Sequence, residues 1–200
     1  MKEIIEFFKQ HKGYARMEQL KHSGFHTRKI RKLIDNGKIQ KIKPGLYRLT
    51  DMYSEGDYPI SFIDVCKSLK NGIICLISAL EYHELSTINP EIVYVAIPNS
   101  DKRTKIDYPP VQVFYFRKRF YELGIEEVET EIGSFKIYSA EKTICDMFRY
   151  RNKLGEDLAL EGLKNYLKRK DRDINKLWNY AIKAKVKTIM HPYMKAMVIE

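Results

Sequence analysis

The first fifty positions carry apolar residues at the spacing of three short helices followed by two strands. In the first helix, Ile4, Ile5 and Phe8 form one apolar stripe, and charged or amide side chains occupy the other faces. A glycine follows each predicted helix, where a left-handed residue ends the helical hydrogen bonding. The pattern predicts helices over residues 2–12, 16–23 and 27–36, and strands over residues 38–43 and 46–50 around a Pro44-Gly45 turn.

The predicted third helix has one apolar side and one cationic side. At about 100° per residue, Ile30 and Leu33 face the first two helices. Arg28, Arg31 and Lys32 fall on the opposite side together with Asp35. Three helices followed by a hairpin are typical of a winged helix-turn-helix unit, whose third helix enters the DNA major groove. The candidate DNA-binding residues, which include the predicted N-cap Thr27 and the hairpin cations, are Thr27, Arg28, Lys29, Arg31, Lys32, Lys38, Lys41, Lys43 and Arg48.

The rest of the chain mixes helical and strand periods. Residues 51–60 (DMYSEGDYPI) are polar and aperiodic, which is typical of a linker. Strands are predicted over residues 92–97 and 111–116, and in a hairpin whose arms, residues 127–132 and 135–138, flank Gly133-Ser134. Helices are predicted over residues 61–70, 73–85, 140–153, 157–170 and 175–185, followed by a segment interrupted by Pro192.

Together these elements predict an α+β chain with two domains. Residues 1–50 form the winged helix-turn-helix domain, residues 51–60 the linker, and residues 61–200 a larger mixed α+β domain with a helical C-terminal part.

Charge is concentrated in the predicted winged unit. The chain has 200 residues and a formal net charge of +10, but residues 1–50 hold 13 Lys and Arg against 4 acids, a net charge of +9. Residues 51–200 are therefore almost neutral, at +1. This asymmetry favours attraction of the first fifty residues to a polyanion such as DNA. A solvated cationic face, or a module that docks a protein partner, is the alternative interpretation.

The sequence offers little support for catalysis or for a bound cofactor. Cys66, Cys75 and Cys145 lack the spacing of a metal site, and EYHE at residues 81–84 is not a zinc-binding HExxH motif. The acids around Glu129 and Lys136 leave open a divergent magnesium-dependent nuclease, although acids on a hairpin are usually its solvated face. We therefore expect no enzyme activity, no cofactor and no metal.

Composition also bears on the compartment. The longest apolar run, residues 72–80, is far shorter than the roughly 20 residues of a membrane span. The first residues, MKEIIE, include acids and no cleavage pattern, so we expect no signal peptide. Three unpaired cysteines fit a reducing compartment. These features predict a cytoplasmic protein that does not contact a membrane.

The second domain contains one possible ion pair and three basic clusters, and we expect both features to lie on its surface. Lys142 and Asp146 lie one helical turn apart, behind the predicted N-cap Ser139, and are expected to form a surface pair worth a few tenths of a kcal/mol. Basic clusters occur at residues 117–119, 164–170 and 183–187. These clusters are predicted to be solvated faces, with extension of a DNA track or docking of an acidic partner as alternatives.

Four stretches, in order along the chain, resemble the AbiEi-type antitoxins. Residues 37–47 form a winged-helix ending that many bacterial regulators share, whereas the SALxxHxL-like and EKTxxD-like stretches are more specific. The four stretches are GKIQKIKPGLY at residues 37–47, SALEYHEL at 78–85, VYVAIP at 93–98 and YSAEKTICD at 138–146.

The resemblance implies a bacterial transcriptional repressor that is the antitoxin half of a type IV toxin–antitoxin, or phage abortive-infection, system. It implies binding to double-stranded DNA at inverted repeats in its own promoter. It also implies a nucleotidyltransferase-like toxin as functional partner, counteracted without a stable complex, and no catalytic activity. The alternative from the residues themselves is that the second domain binds the toxin or another protein directly.

Overall fold

The computed structural model describes residues 1–51, 58–102 and 105–198. Most of the predicted linker, residues 52–57, lies outside the described residues. The first helix of the second unit begins at Tyr58, three residues before the start predicted from the pattern.

The N-terminal unit packs three helices against a small antiparallel sheet. Its strand order is β1-β3-β2, and its core includes Ile4, Phe8, Leu20, Ile30 and Leu33. β1 is too short to be recognised from the local pattern and forms by pairing with β3. The elements are α1 (Lys2–Gln10), β1 (Tyr14–Arg16), α2 (Met17–His22), α3 (Thr27–Asp35), β2 (Ile39–Lys43) and β3 (Leu46–Leu49).

The second unit contains a mixed five-stranded sheet followed by four C-terminal helices. The elements are α4 (Tyr58–Ser68), β4 (Ile73–Ile74), α5 (Leu76–Tyr82), β5 (Val93–Pro98), β6 (Val111–Phe116), α6 (Lys118–Tyr121), β7 (Ile125–Thr130), β8 (Gly133–Tyr138), α7 (Ala140–Leu154), α8 (Glu156–Lys168), α9 (Ile174–Lys183) and α10 (Lys187–Val198). The strand order is β6-β5-β4-β8-β7, in which β5 and β6, and β4 and β8, are parallel. The predicted mixed α+β class with a helical C-terminal part is confirmed.

Helices cover both faces of this sheet. Alternate residues of β5 point to opposite faces, as a strand requires: Val95 packs in the core beneath α4, whereas Ala96 joins the larger core formed with α5 and the C-terminal helices. On the α4 side, Phe62 and Ile63 pack in the same cluster as Ile137 of β8. The sheet is therefore the middle layer of the second unit.

Two predicted boundaries in the second unit are wrong. Residues 73–85 were predicted as one helix, but Ile73 and Ile74 form β4 in the centre of the sheet, and the helix begins only at Leu76. A short buried strand and a buried helical turn have similar apolar sequences, so periodicity does not separate them. The predicted hairpin turn at Gly133-Ser134 is also displaced, because Gly133 already pairs with Thr130 in the β7–β8 ladder.

The Lys142–Asp146 pair is buried, which corrects the prediction of a surface contact. Both side chains are 0% exposed, and the Nζ of Lys142 donates to the Asp146 carboxylate. Arg149 lies 3.1 Å from the other Asp146 oxygen, and Lys142 Nζ lies 4.3 Å from the ring centroid of Tyr138. Burial lowers the pKa of Lys142, and Asp146 opposes this shift. The helix start was predicted correctly, since Ser139 accepts a hydrogen bond from the backbone N of Lys142.

We expect Lys142→Met to lower the free energy of unfolding by about 3 kcal/mol, because it leaves the buried Asp146 with Arg149 as its remaining cation. The matched control is Lys118→Met, which removes an exposed lysine with the same i,i+4 spacing to an acid, Glu122. This control should cost a few tenths of a kcal/mol. Urea denaturation measures both values, and equal small losses would contradict a buried role for the pair.

Candidate nucleic-acid interface

Helix α3 separates its apolar and cationic residues as the sequence predicts. Ile30 and Leu33 are buried against the rest of the N-terminal unit. The side chains of Arg28, Lys29, Arg31 and Lys32 are all exposed, and within the described residues none of the four forms an ion pair or side-chain hydrogen bond. The helix therefore presents a row of uncompensated positive charges to solvent.

The two ends of α3 determine which residues belong to the helix and therefore to its exposed cationic side. Thr27 was predicted as the N-cap, but the cap is His26, and Thr27 is the exposed first residue of the helix. The chain leaves the helix through Asn36 and Gly37, and Gly37 has φ of 66°. Glycine adopts this left-handed conformation at little cost, so the chain turns sharply into β2.

The hairpin cations, in contrast, are all engaged in contacts. Lys38 pairs with Asp51 at 2.6 Å, and both side chains are substantially exposed. The partners of the other three hairpin cations, Lys41, Lys43 and Arg48, lie in the second unit: Lys41 pairs with Asp107 at 2.9 Å, Lys43 Nζ donates to Ser68 O at 2.7 Å, and Arg48 pairs with Asp64 at 2.9 Å. The sequence contains no signal for these three contacts, because each partner is distant along the chain from the cation that it binds.

Asp64 on α4 is the centre of the contact between the two units. Its side chain is 0% exposed, accepts a hydrogen bond from Tyr14 OH at 2.8 Å and pairs with Arg48. Burial raises the pKa of Asp64 to about 6, against the opposing effects of Arg48 and Tyr14. The backbone adds to this joint, since Ile42 O accepts from the amide of Asp107 at 2.8 Å. The hairpin is therefore packed against the second unit along one side.

The residues considered for metal binding or catalysis, His83 and the acids of the β7–β8 hairpin, do not form a metal site among the described residues. His83 caps α5, its Nε2 lies 2.7 Å from Tyr138 O, and burial lowers the pKa of its imidazole. Glu129 and Glu131 are exposed at the β7–β8 hairpin, at the edge of the sheet. Over the described ranges, no group of three or more His, Cys, Asp or Glu side chains is placed to hold a metal ion.

Comparison with known families finds a match in the N-terminal unit. Residues 2–50 match the family described as transcriptional regulator, AbiEi antitoxin. The resemblance seen in the sequence is thereby confirmed over these residues, whereas the stretches at residues 78–85 and 138–146 lie outside the match. A search of curated proteins finds no match to this chain.

The AbiEi match covers α1 to β3 and so contains the whole basic helix α3. It also contains Tyr14 and Arg48, the two side chains that hold Asp64 of the second unit. None of the described helices is long and apolar enough to cross a membrane.

Because the pKa of Asp64 is raised to about 6 in the folded protein, folding retains a proton that the unfolded chain releases near pH 4. The retained proton on Asp64 therefore stabilises the folded protein fully below pH 4. This stabilisation is lost as the pH rises to about 6, which lowers the free energy of unfolding by about 2 to 3 kcal/mol.

Asp64→Asn removes this titration. The difference in free energy of unfolding, wild type minus Asp64→Asn, should therefore fall between pH 4 and pH 6 and stay flat above pH 7. Urea denaturation at a series of pH values gives this difference directly. A difference that does not change over this range would show that Asp64 titrates normally.

Proposed function

We propose that this protein is a DNA-binding transcriptional repressor that acts as the antitoxin of a type IV toxin–antitoxin system. In this proposal the AbiEi-matched unit is a winged helix-turn-helix, and α3 enters the major groove. The protein binds repeats in its own promoter and counteracts a nucleotidyltransferase-like toxin without forming a stable complex with it. The match of residues 2–50 to the AbiEi antitoxin family supports the general role.

The observation that carries the DNA-binding proposal is the contrast between α3 and the hairpin. Arg28, Lys29, Arg31 and Lys32 are exposed cations on one element and have no acidic partner among the described residues. Arginine in the major groove forms bidentate hydrogen bonds to guanine. We therefore assign base contacts to the two arginines, and backbone contacts to the two lysines with the hydroxyl of Thr27.

The hairpin cations take different parts in this proposal. Lys38 and Lys41 belong to partly exposed ion pairs, which are weak enough to exchange an acid for a phosphate. Arg48 is less exposed, and both Arg48 and Lys43 contact the second unit. Lys38 and Lys41 are therefore assigned to phosphates, whereas Lys43 and Arg48 support binding by fixing the hairpin in place.

A single unit of this size reads a short half-site, because one recognition helix reaches only a few base pairs. Repeated promoter sequences would place two copies of the protein side by side and extend the site that is read. Binding at its own promoter would then repress the operon in proportion to the amount of antitoxin present.

We expect Arg31→Ala to reduce discrimination between the protein's own promoter and a scrambled duplex by about 1 to 3 kcal/mol, because a base contact is lost. The control is Lys9→Ala, which removes one exposed positive charge from α1 of the same unit. Fluorescence anisotropy with both duplexes measures the two affinities. If Lys9→Ala reduces discrimination as much as Arg31→Ala does, α3 is not the reading element.

The salt dependence of DNA binding tests the electrostatic part of the proposal. With about four phosphates neutralised by α3 and its neighbours, the slope of log K against log salt should be roughly −3 to −4 per bound copy. The measurement is a titration of the full chain with duplex DNA between low and physiological salt. A slope near zero would contradict a phosphate-binding role for these cations.

A further inference from the structure

An open groove of about 460 Å³ lies where the two units meet, on the side of Tyr14. His11 and Lys12 line it just after α1, Arg16 lines it at the end of β1, and Lys67 reaches it from α4 of the second unit. The groove therefore has walls from both units, and its basic side chains come from three separate segments of the chain.

The lining of this groove is cationic, and none of its described lining residues is an acid. The pKa of Lys67 is lowered, first by burial and then by repulsion from Lys12 and Arg16. Asp64 opposes this shift, but its carboxylate is buried behind the groove and is held by Tyr14 and Arg48. Lys67 and Arg16 thus repel one another across an accessible space, and an anion in that space would relieve the repulsion.

Local contacts hold the groove in shape without a ligand. Lys67 Nζ lies 4.6 Å from the ring centroid of Tyr14, whose hydroxyl is fixed by Asp64. The backbone N of Arg16 donates to Gln19 Oε1 at 2.8 Å, and Met17 N donates to Gly45 O at 2.9 Å. The backbone around Arg16 and the ring beneath Lys67 are therefore already in place, and an anion has to order only the exposed side chains that bind it.

We propose that this groove binds a phosphate group, with Arg16 and Lys67 as the main ligands and His11 and Lys12 beside them. A planar guanidinium forms two parallel hydrogen bonds to phosphate, and a lysine ammonium adds a compact charge from another direction. The phosphate comes either from a free polyphosphate or from a phosphodiester of DNA. The second source rests on the function proposed above.

Such a site couples ligand binding to the joint between the units. Arg16 belongs to the AbiEi-matched unit and Lys67 to the second unit, so a phosphate held by both adds a contact across the joint. A ligand that binds only the joined arrangement stabilises it by mass action. Occupation of the groove would therefore favour the relative placement of the units that the Asp64 contact already sets.

The first test is binding of inorganic pyrophosphate to the full chain, measured by isothermal titration calorimetry. Lys67→Gln and Arg16→Gln should each weaken binding about tenfold, and Arg16→Lys, which keeps the charge, should weaken it less than Arg16→Gln. The matched control is Lys70→Gln, because Lys70 is an exposed lysine close by in the chain and does not line this groove. Thermal unfolding without phosphate verifies that each variant is folded.

The second test is the salt slope of binding to a 20-base-pair duplex. If the source is DNA, Lys67→Gln lowers the magnitude of the slope by about 1, and pyrophosphate competes with the duplex. If the source is a free polyphosphate, pyrophosphate binding depends on Lys67 and the slope for the duplex does not change. Either result supports the groove.

The proposal is overturned if Lys67→Gln alters neither pyrophosphate binding nor the duplex slope, or if Lys70→Gln weakens pyrophosphate binding as much as Lys67→Gln does. These results are distinct from a failure of the proposed function. A chain that binds pyrophosphate through Lys67 but binds no duplex at all would keep the phosphate site and contradict DNA binding. Conversely, duplex binding that needs Arg31 but not Lys67, with no pyrophosphate binding through Lys67, would support DNA binding by α3 and contradict the phosphate site.

Discussion

The buried carboxylate of Asp64 is the contact on which the arrangement of the two units depends. It lies on α4, yet both of its side-chain partners, Tyr14 and Arg48, belong to paired strands of the N-terminal sheet. A buried acid is costly unless it is paired and hydrogen-bonded, and here Tyr14 donates a hydrogen bond to one carboxylate oxygen and Arg48 forms an ion pair with the other. Since Tyr14 and Arg48 face each other in the β1–β3 ladder, Asp64 binds the sheet rather than one flexible side chain.

This contact distinguishes the cations of the hairpin strands from those of α3. Three cations on β2 and β3 contact the second unit: Lys43 and Arg48 contribute to packing, and Lys41 forms a partly exposed ion pair with Asp107. Those on α3 remain exposed to solvent. The N-terminal unit, with a net charge of +9, therefore presents the cations of α3 to solvent, and the position of that helix relative to the second unit is set by the joint.

The parts of the structure that depend on neighbouring residues were largely predictable from sequence. The two sides of α3, the glycine after its end and the Ser139 cap of α7 all follow from spacings of a few residues. The exposed position of the α3 cations follows from the same spacing, because burying Ile30 and Leu33 turns the other side of the helix outward.

The parts that depend on distant residues were not predictable. β4 is a strand because Ile74 pairs with both Val95 and Ile137, and two residues carry no recognisable period. The Lys142–Asp146 pair is buried because the sheet and the C-terminal helices close over it, whereas its i,i+4 spacing is the same as that of a surface pair. The engagement of Lys43 and Arg48 likewise depends on the docking of α4, which no local pattern encodes.

We propose that α3 faces DNA while the inner side of the hairpin contacts the second unit. Lysine acetylation of the full chain, with and without promoter DNA and with mass-spectrometric readout, tests this claim most directly. We predict that DNA slows acetylation of Lys29 and Lys32 and leaves the rate at Lys43 unchanged. Protection of Lys43 by DNA, with no protection of Lys29 or Lys32, would contradict it.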